Sequence, residues 1–374
     1  DRFSMRHIRI IRLLLALFVI ILLRSAQAQQ TGSNEADTII KRLRSGAADT
    51  SRIQLLLRLS TFYLNKTLNP ISDMDSALLL ANQALDLAQR LKFDSGEKNA
   101  LLLKGRIYIK QQNTAKVRQM LVNVSSENRI KLLFELGKSM LRTAYLQKSN
   151  RDSALIFFRQ AAVLSDNIGD AKMTEESQCL LGTVYILNGN WQQGKAYFMQ
   201  VVEARQKAED KAGELNALLR MATTVFCDDC GENISALNRA LELSVQLEDQ
   251  SMEAVIRLEI GYKYLKEGDE RRAEEEALAA LKIQKTIGYR AVCQAYKALA
   301  MQSVYYTPSD YGYLSNAYYL LSDLGQTKGD LNQKLFHILE VVRDVEKSGM
   351  LEELDYTYFR LGNAYWELGQ FDKS

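Results

Sequence analysis

Histidine and proline are nearly missing from this chain, and each shortage excludes something. The 374 residues contain two prolines and two histidines. With so few prolines, long helices can run uninterrupted, and Pro70 and Pro308 are both expected in loops. His337 stands in the apolar stretch L-F-H-I-L-E-V-V and His7 near the start of the chain. Because a catalytic base needs an orienting partner and a nucleophile nearby, we interpret His337 as a packing or groove residue.

Sequence signatures of catalysis are also missing. The chain has no G-x-S-x-G, no phosphate-binding G-x-x-x-x-G-K-[ST] and no H-E-x-x-H. The acidic run Glu274-Glu275-Glu276 lies opposite the alanine face of its predicted helix, which is typical of a solvated surface. The sequence therefore predicts a protein that is not an enzyme, with no cofactor and no metal site.

Cysteines are few, and only two are close together. Cys227 and Cys230 form a lone C-x-x-C between two predicted helices, whereas Cys179 and Cys293 fall within predicted helices. A zinc site needs four ligands, and a thioredoxin-like motif needs a βαβ setting. A disulfide between Cys227 and Cys230, or idle thiols, is favoured over metal or redox chemistry.

Strand patterns are absent too, so we predict an all-α chain. No stretch alternates apolar and β-branched residues with polar ones, and 47% of the residues are hydrophobic. Glycine follows several apolar periodic runs and is expected to end those helices in the left-handed conformation. These predicted helix ends are Gly169, Gly189, Gly268, Gly288, Gly325 and Gly349.

What the chain does contain is a repeat, seen best from Arg257 to Leu281. A first helix presents Ile260, Gly261 and Tyr264 on one face, and Gly268-Asp269 breaks it. A second helix then presents three alanines on one face: Ala273, Ala277 and Ala280. This spacing resembles the tetratricopeptide repeat, a helix-turn-helix unit of about 34 residues.

Further copies are marked by one small residue each, which we call the small contact residue because two helices should meet there. The series is Ser60, Gly105, Gly137, Gly182, Ala222, Gly261, Ala300 and Gly362. The last interval is too long for one repeat and too short for two, so we expect an irregular or extra helix between Ser309 and Gly325. The resemblance implies a tetratricopeptide-repeat right-handed superhelix, an α-solenoid of about eight helix pairs over residues 47–374.

Residues 1–28 have the order of an export signal. Arg6, Arg9 and Arg12 precede the apolar run Leu13–Leu23, and Ala26-Gln27-Ala28 follows. Eleven helical residues span about 16 Å, too little for about 30 Å of hydrocarbon. We expect cleavage before Gln29, with an uncleaved anchor as the alternative. Residues 29–46 are then a polar linker and an opening helix, and Asp49-Thr50-Ser51 can cap the next helix.

The leader also accounts for the basic charge. The whole chain is formally +3 and residues 1–28 are +4, which leaves −1 for the rest. Beyond Lys41-Arg42-Leu43-Arg44 there is no basic run. We therefore expect no nucleic-acid partner.

The strings A-D-T-I-I-K-R-L-R and D-T-S-R-I-Q-L-L-L-R-L-S resemble the opening of bacterial sensor histidine kinases with exported tetratricopeptide repeats. This resemblance implies an extracytoplasmic sensory region at the periplasmic face of the inner membrane. Ser374 falls where a second helix should begin, so the array is expected to continue, followed by a membrane helix and a kinase-like output module. The alternative is a free-standing periplasmic scaffold for envelope protein complexes. Membrane contact is expected only through such a later segment or an uncleaved leader.

The same resemblance implies that the first helix of each pair lines a concave groove for a protein or peptide ligand. In the best copy Tyr262, Leu265 and Lys266 should face that groove. In the last copy the matching positions are Asn363, Trp366 and Glu367. An alternative for Trp366 is packing against the next repeat, and a homodimer stays open as the assembly.

Overall fold

A computed structural model describes residues 36–44, 48–66, 70–143, 148–224, 230–300, 314–350 and 353–373. Throughout these ranges the regular structure is α-helical, and no strand occurs in them. The helices of the first part are α1 (residues 36–44), α2 (Thr50–Asn65), α3 (Pro70–Arg90), α4 (Asp94–Lys110), α5 (Thr114–Leu121) and α6 (Ser126–Thr143). The all-α fold class predicted from the sequence is confirmed.

Eleven more helices follow. They are α7 (Lys148–Ile168), α8 (Ala171–Leu187), α9 (Trp191–Lys207), α10 (Lys211–Thr224), α11 (Cys230–Gln246), α12 (Gln250–Lys266), α13 (Glu270–Ile287), α14 (Tyr289–Ala300), α15 (Ala317–Thr327), α16 (Leu331–Ser348) and α17 (Leu354–Glu367). Most pack in consecutive pairs, as a helix-turn-helix repeat requires.

A Gly-Asp dipeptide lies at three of the boundaries between these helices, at residues 169–170, 268–269 and 329–330. At Gly268-Asp269 the glycine has a φ of 79° and closes α12, and Asp269 then accepts the backbone N–H of Arg272 at 3.0 Å to cap α13. Gly329-Asp330 acts in the same way before α16. Because a β-carbon disfavours positive φ and an aspartate satisfies free N–H groups, two local residues fix each boundary.

The chain divides into two compact units at Leu136 and Gly137, within α6. In unit 1, α3 packs against both α2 and α4. Ile53, Leu56 and Ala100 are buried in one of its clusters. The small contact residue Ser60 is fully buried, and its Oγ donates to the carbonyl oxygen of Ala77 at 2.7 Å. That bond satisfies a hydroxyl that close helix packing removes from water.

A large core of unit 2 extends from Cys179 to Met350. Ala273, Ala277 and Ala280 are fully buried in it, and Ile260 and Gly261 are buried on the facing helix. Tyr264 packs under the guanidinium of Arg272 in the partner helix, 4.6 Å from the ring centre. The predicted pairing of α12 with α13 is therefore confirmed.

The extra helix predicted between Ser309 and Gly325 falls partly on residues outside the described ranges, and it stays a prediction. Among the described helices, α14 packs against α12, α13 and α16, while α15 pairs with α16 and continues the array. Ala300 is the last described residue before a gap, so its predicted place in a first helix also stays a prediction. Gly325 provides a close contact between α15 and α16, because a β-carbon there would lie 2.9 Å from the backbone nitrogen of Lys334.

Two smaller expectations were wrong. Gly325 lies inside α15 and does not end it, since the left-handed residue after that helix is Gly329. Pro70 begins α3 and does not stand in a loop. Proline is tolerated at the first helical position because that N–H has no helical partner. Pro308 lies outside the described residues.

Candidate binding groove

An open groove of about 640 Å³ lies in unit 1, bordered by α1, α2 and α4. Its residues follow the helical period. Asn99, Leu102 and Arg106 stand three and four positions apart on α4. On α2 the groove is lined by Leu57, Thr61 and Asn65, which stand four positions apart. The residue that follows each of them also lines the groove: Arg58, Phe62 and Lys66. Residues at these intervals share one helix face, so both helices present a continuous row to the groove.

The apolar part of the groove consists of Ile39, Leu57, Phe62, Leu102 and Leu103. Ile39 and Leu103 are buried, whereas Leu57, Phe62 and Leu102 are half-buried and keep apolar surface in reach of a ligand. An apolar floor with a few polar groups around it is typical of a binding site.

The polar part consists of Arg58, Thr61, Asn65, Lys66, Asn99 and Arg106, all exposed. Arg106 Nε donates to Glu135 Oε1 at 2.6 Å, which ties the guanidinium to α6. Lys66 Nζ lies 3.5 Å from Asp73 Oδ1 and 5.8 Å from the centre of the Tyr63 ring. Lys66 and Arg106 are thus held by carboxylates outside the groove lining.

The groove occupies a definite register in the repeat. Thr61 and Arg106 each stand one position after a small contact residue, and Asn65 stands five after Ser60. In unit 2 the residues one position after Gly182 and Ala222 are Thr183 and Thr223, and both are buried. The corresponding face of α8 and α10 is therefore closed.

The first helices of unit 2 are joined by an internal ion network. Glu176 in α8 accepts from Lys138 Nζ of α6 at 2.8 Å and from Arg220 of α10 at 2.6 Å. Burial works to raise the pKa of Glu176, but Arg220 and Lys138 outweigh it, so the pKa is lowered overall. The carboxylate is thus held in its charged form by two helices.

The residues predicted to face the groove lie in unit 2, on two different helices. Tyr262 and Leu265 of α12 are half-buried against the main core, and Lys266 is exposed. On α17, Asn363 and Trp366 are exposed, and the Trp366 ring lies 4.8 Å from the Phe371 ring. Glu367 accepts from Lys334 Nζ at 2.6 Å. The two sets lie on separate helices, and their role in binding stays a prediction.

His337 packs in the interior of unit 2. Its ring lies 5.8 Å from the Tyr318 ring and 5.3 Å from the Phe336 ring, and burial lowers its pKa. The sequence-based reading of His337 as a packing residue agrees with this position.

The thiols of Cys179 and Cys293 are free and buried. Burial raises the pKa of Cys179 to about 11, so the reactive thiolate is disfavoured. Cys227 and the side chain of Cys230 lie outside the described residues, and their disulfide stays a prediction.

Within the described part of the chain, no cluster of three or more histidine, cysteine or acidic side chains could hold a metal ion. None of the described helices combines the length and apolar character that a membrane span requires; the predicted leader is not among them.

Comparison with known proteins supports the repeat. A family model described as tetratricopeptide repeat matches residues 356–374. No curated protein matches the chain at a significant level.

Several solved structures are similar. BtubC from P. vanneervenii has 14% identity and a TM-score of 0.45 over 57% of this chain and 92% of its own. A Rap protein complexed with Competence and Sporulation Factor has 16% identity and a TM-score of 0.37, covering 86% and 100%. A signal transduction ATPase with a tetratricopeptide repeat sensor from Pyrococcus horikoshii has 15% identity and a TM-score of 0.38, covering 86% and 50%.

Proposed function

We propose that this chain, an array of tetratricopeptide repeats, is a non-catalytic scaffold that binds an extended segment of a protein partner in the groove of unit 1. The observation that supports this most directly is the position of the groove. It lies on α2 and α4, the first helices of two successive pairs, and combines an apolar floor with six exposed polar side chains. A helical surface of this kind holds a ligand through side chains on a rigid support.

A peptide-display experiment tests the proposal. Random peptides are selected on the purified chain and then on a Thr61→Trp variant. Thr61 is exposed in the groove, so an indole there fills the cavity without disturbing the core. We expect enriched peptides that bind the original chain and lose binding to the variant. The matched control is Leu79→Trp, an exposed position of α3 that does not line the groove.

Two outcomes would contradict the proposal. One is failure to enrich any peptide on the folded chain. The other is a set of peptides whose affinity is unchanged by Thr61→Trp or is lost equally in Leu79→Trp.

We further propose that the scaffold is the extracytoplasmic sensory region of a signal-transduction protein. The support is the order of residues 1–28, in which Arg6, Arg9 and Arg12 precede an eleven-residue apolar run and Ala26-Gln27-Ala28 follows it. Mass spectrometry of the exported protein should find Gln29 at its N-terminus. The reading frame after Ser374 separates the two versions of this role. An apolar span of about 20 residues followed by a kinase supports the sensor, and an array that ends without one supports a free periplasmic scaffold.

A further inference from the structure

We propose that the groove of unit 1 selects an anionic peptide, with two carboxylates flanking an apolar side chain. This inference rests on the proposed function and names the chemical class of its ligand. The groove offers three cationic side chains, Arg58, Lys66 and Arg106, and none of its eleven lining residues is acidic. A ligand that brings negative charge is therefore matched, and one that brings positive charge is repelled.

Arg106 is positioned for this role by a carboxylate that does not line the groove. Its Nε donates to Glu135 Oε1, and that bond uses one of the five N–H donors of a guanidinium. The bond fixes the side chain, and its remaining donors can bind a carboxylate as a fork. Lys66 is held more loosely, at 3.5 Å from Asp73.

The spacing along α2 sets the expected ligand pattern. Arg58 and Lys66 are eight residues apart, which corresponds to about 12 Å along a helix axis. In an extended peptide, residues four apart lie on the same side and are separated by about 13 Å. Two acidic residues four apart therefore fit the two cations. The residue midway between them points to the same side and meets Leu57, Phe62 and Leu102.

The remaining polar groups suit a peptide backbone. Asn65 and Asn99 both line the groove, and each amide side chain can donate to a carbonyl and accept from an N–H. A nucleic acid is less well matched. Its affinity comes from neutralising many phosphates, whereas this groove has three cations, and Lys66 and Arg106 lie beside the carboxylates of Asp73 and Glu135.

The experiment measures binding of labelled, end-capped peptides to the full chain by fluorescence anisotropy. The probe contains the sequence Glu-Ser-Leu-Ser-Glu, and its comparison peptide replaces both glutamates with glutamine. We expect the acidic peptide to bind about tenfold more tightly at low salt, with the difference shrinking as salt screens the charges. A third peptide, with one glutamate and a free C-terminal carboxylate four residues later, shows whether a terminal carboxylate can replace a side-chain one.

Variants identify the cations responsible. Arg58→Gln, Lys66→Gln and Arg106→Gln should each weaken the acidic peptide about twofold to threefold and leave the glutamine peptide unchanged. The control Arg90→Gln removes an exposed arginine of α3 that does not line the groove, and it should change neither affinity. Circular dichroism of every variant confirms that the helices are intact.

The outcomes are separable from those of the display selection. Peptides that enrich in a groove-dependent way but prefer neutral sequences would overturn the anionic class and leave the scaffold function standing. Equal affinity for the acidic and glutamine peptides would also overturn the anionic class without affecting the scaffold function. Tighter binding of a ten-nucleotide oligothymidylate than of the acidic peptide would replace the peptide with a nucleic acid.

Discussion

Gly182 in α8 and Gly194 in α9 approach each other until neither position has room for a methyl group. A β-carbon on Gly182 would lie 2.9 Å from the carbonyl oxygen of Gly194, and one on Gly194 would lie 2.7 Å from the carbonyl oxygen of Gly182. The tetratricopeptide repeat usually has alanine at the position of Gly194. In this pair the two helix backbones therefore meet more closely than that pattern requires.

We predict that Gly194→Ala destabilises the chain, although alanine is the better helix former. Helix propensity favours the substitution by about 1 kcal/mol. The new methyl group meets backbone atoms that cannot move aside, and overpacking of this kind costs about 1 to 3 kcal/mol. Urea unfolding followed by circular dichroism should show a lower midpoint. Gln192→Ala, an exposed change in the same helix, is the control and should not lower it.

Gly261→Leu should also overpack, at the contact between pairs. A β-carbon there would lie 2.5 Å from Leu320 Cδ2 and 3.4 Å from the carbonyl oxygen of Ala273, and Leu320 is fully buried. We expect a loss of about 1 to 3 kcal/mol in thermal unfolding. Glu275→Gln removes only an exposed ion pair with Arg271 and should change stability by under about 0.5 kcal/mol. Equal stability of the two variants would refute a tight contact between Gly261 and Leu320.

Tyr296→Phe tests the attachment of α14 to α12. The Tyr296 hydroxyl is fully buried and donates to the buried carboxylate of Glu259. Removing a donor from a buried charged group costs about 1.5 to 3 kcal/mol. Tyr358→Phe is the matched control, since that hydroxyl is exposed and bonds Glu346 at 3.3 Å. A chemical-denaturation midpoint for Tyr296→Phe no lower than that of the control would contradict the role of this bond.

Ionisation of Glu176 should make the folding stability of the chain depend on pH. Its folded pKa is lowered by Arg220 and Lys138 against the opposing effect of burial. A lowered pKa contributes stability above the unfolded value of about 4.3, and that contribution is lost as the pH falls through the folded pKa. Glu176→Gln should thus be less stable than the original chain at pH 7, with the gap closing towards pH 3. Exposed Glu203→Gln should show no such convergence.

Several helix boundaries could be predicted because they are set by neighbouring residues. Gly268-Asp269 ends one helix and caps the next within two positions, and the same holds at Gly169-Asp170. The alanine face of α13 is likewise visible in the sequence, since its period is that of a helix.

The packing position of α14 could not be predicted from neighbouring residues in the sequence. The segment around Ala300 has the small and apolar residues of a first helix, so it resembles a repeat copy. Its actual place is decided by partners far along the chain, with Tyr296 bonded to Glu259 and Lys297 3.1 Å from Glu353. A local pattern contains no information about such pairs.

The groove was missed for a related reason. The sequence pointed to α12 and α17 because their repeat copies match the family pattern best. Exposure of a helix face depends instead on what packs over it. The position one residue after the small contact residue is buried at Thr183 and Thr223 but exposed at Thr61 and Arg106. These last two residues belong to copies that match the repeat pattern less well.

The helix α14 has a consequence for how unit 2 unfolds. In a simple array each pair touches only its neighbours, so ends can fray while the middle persists. Here Arg290 of α14 donates to the carbonyl oxygen of Ser348 at the end of α16, while Tyr296 holds α12 and Lys297 reaches Glu353. Opening the pair formed by α15 and α16 then breaks contacts with α14 as well. From α12 to α17 the repeats should therefore melt together, as one cooperative block within an otherwise divisible chain.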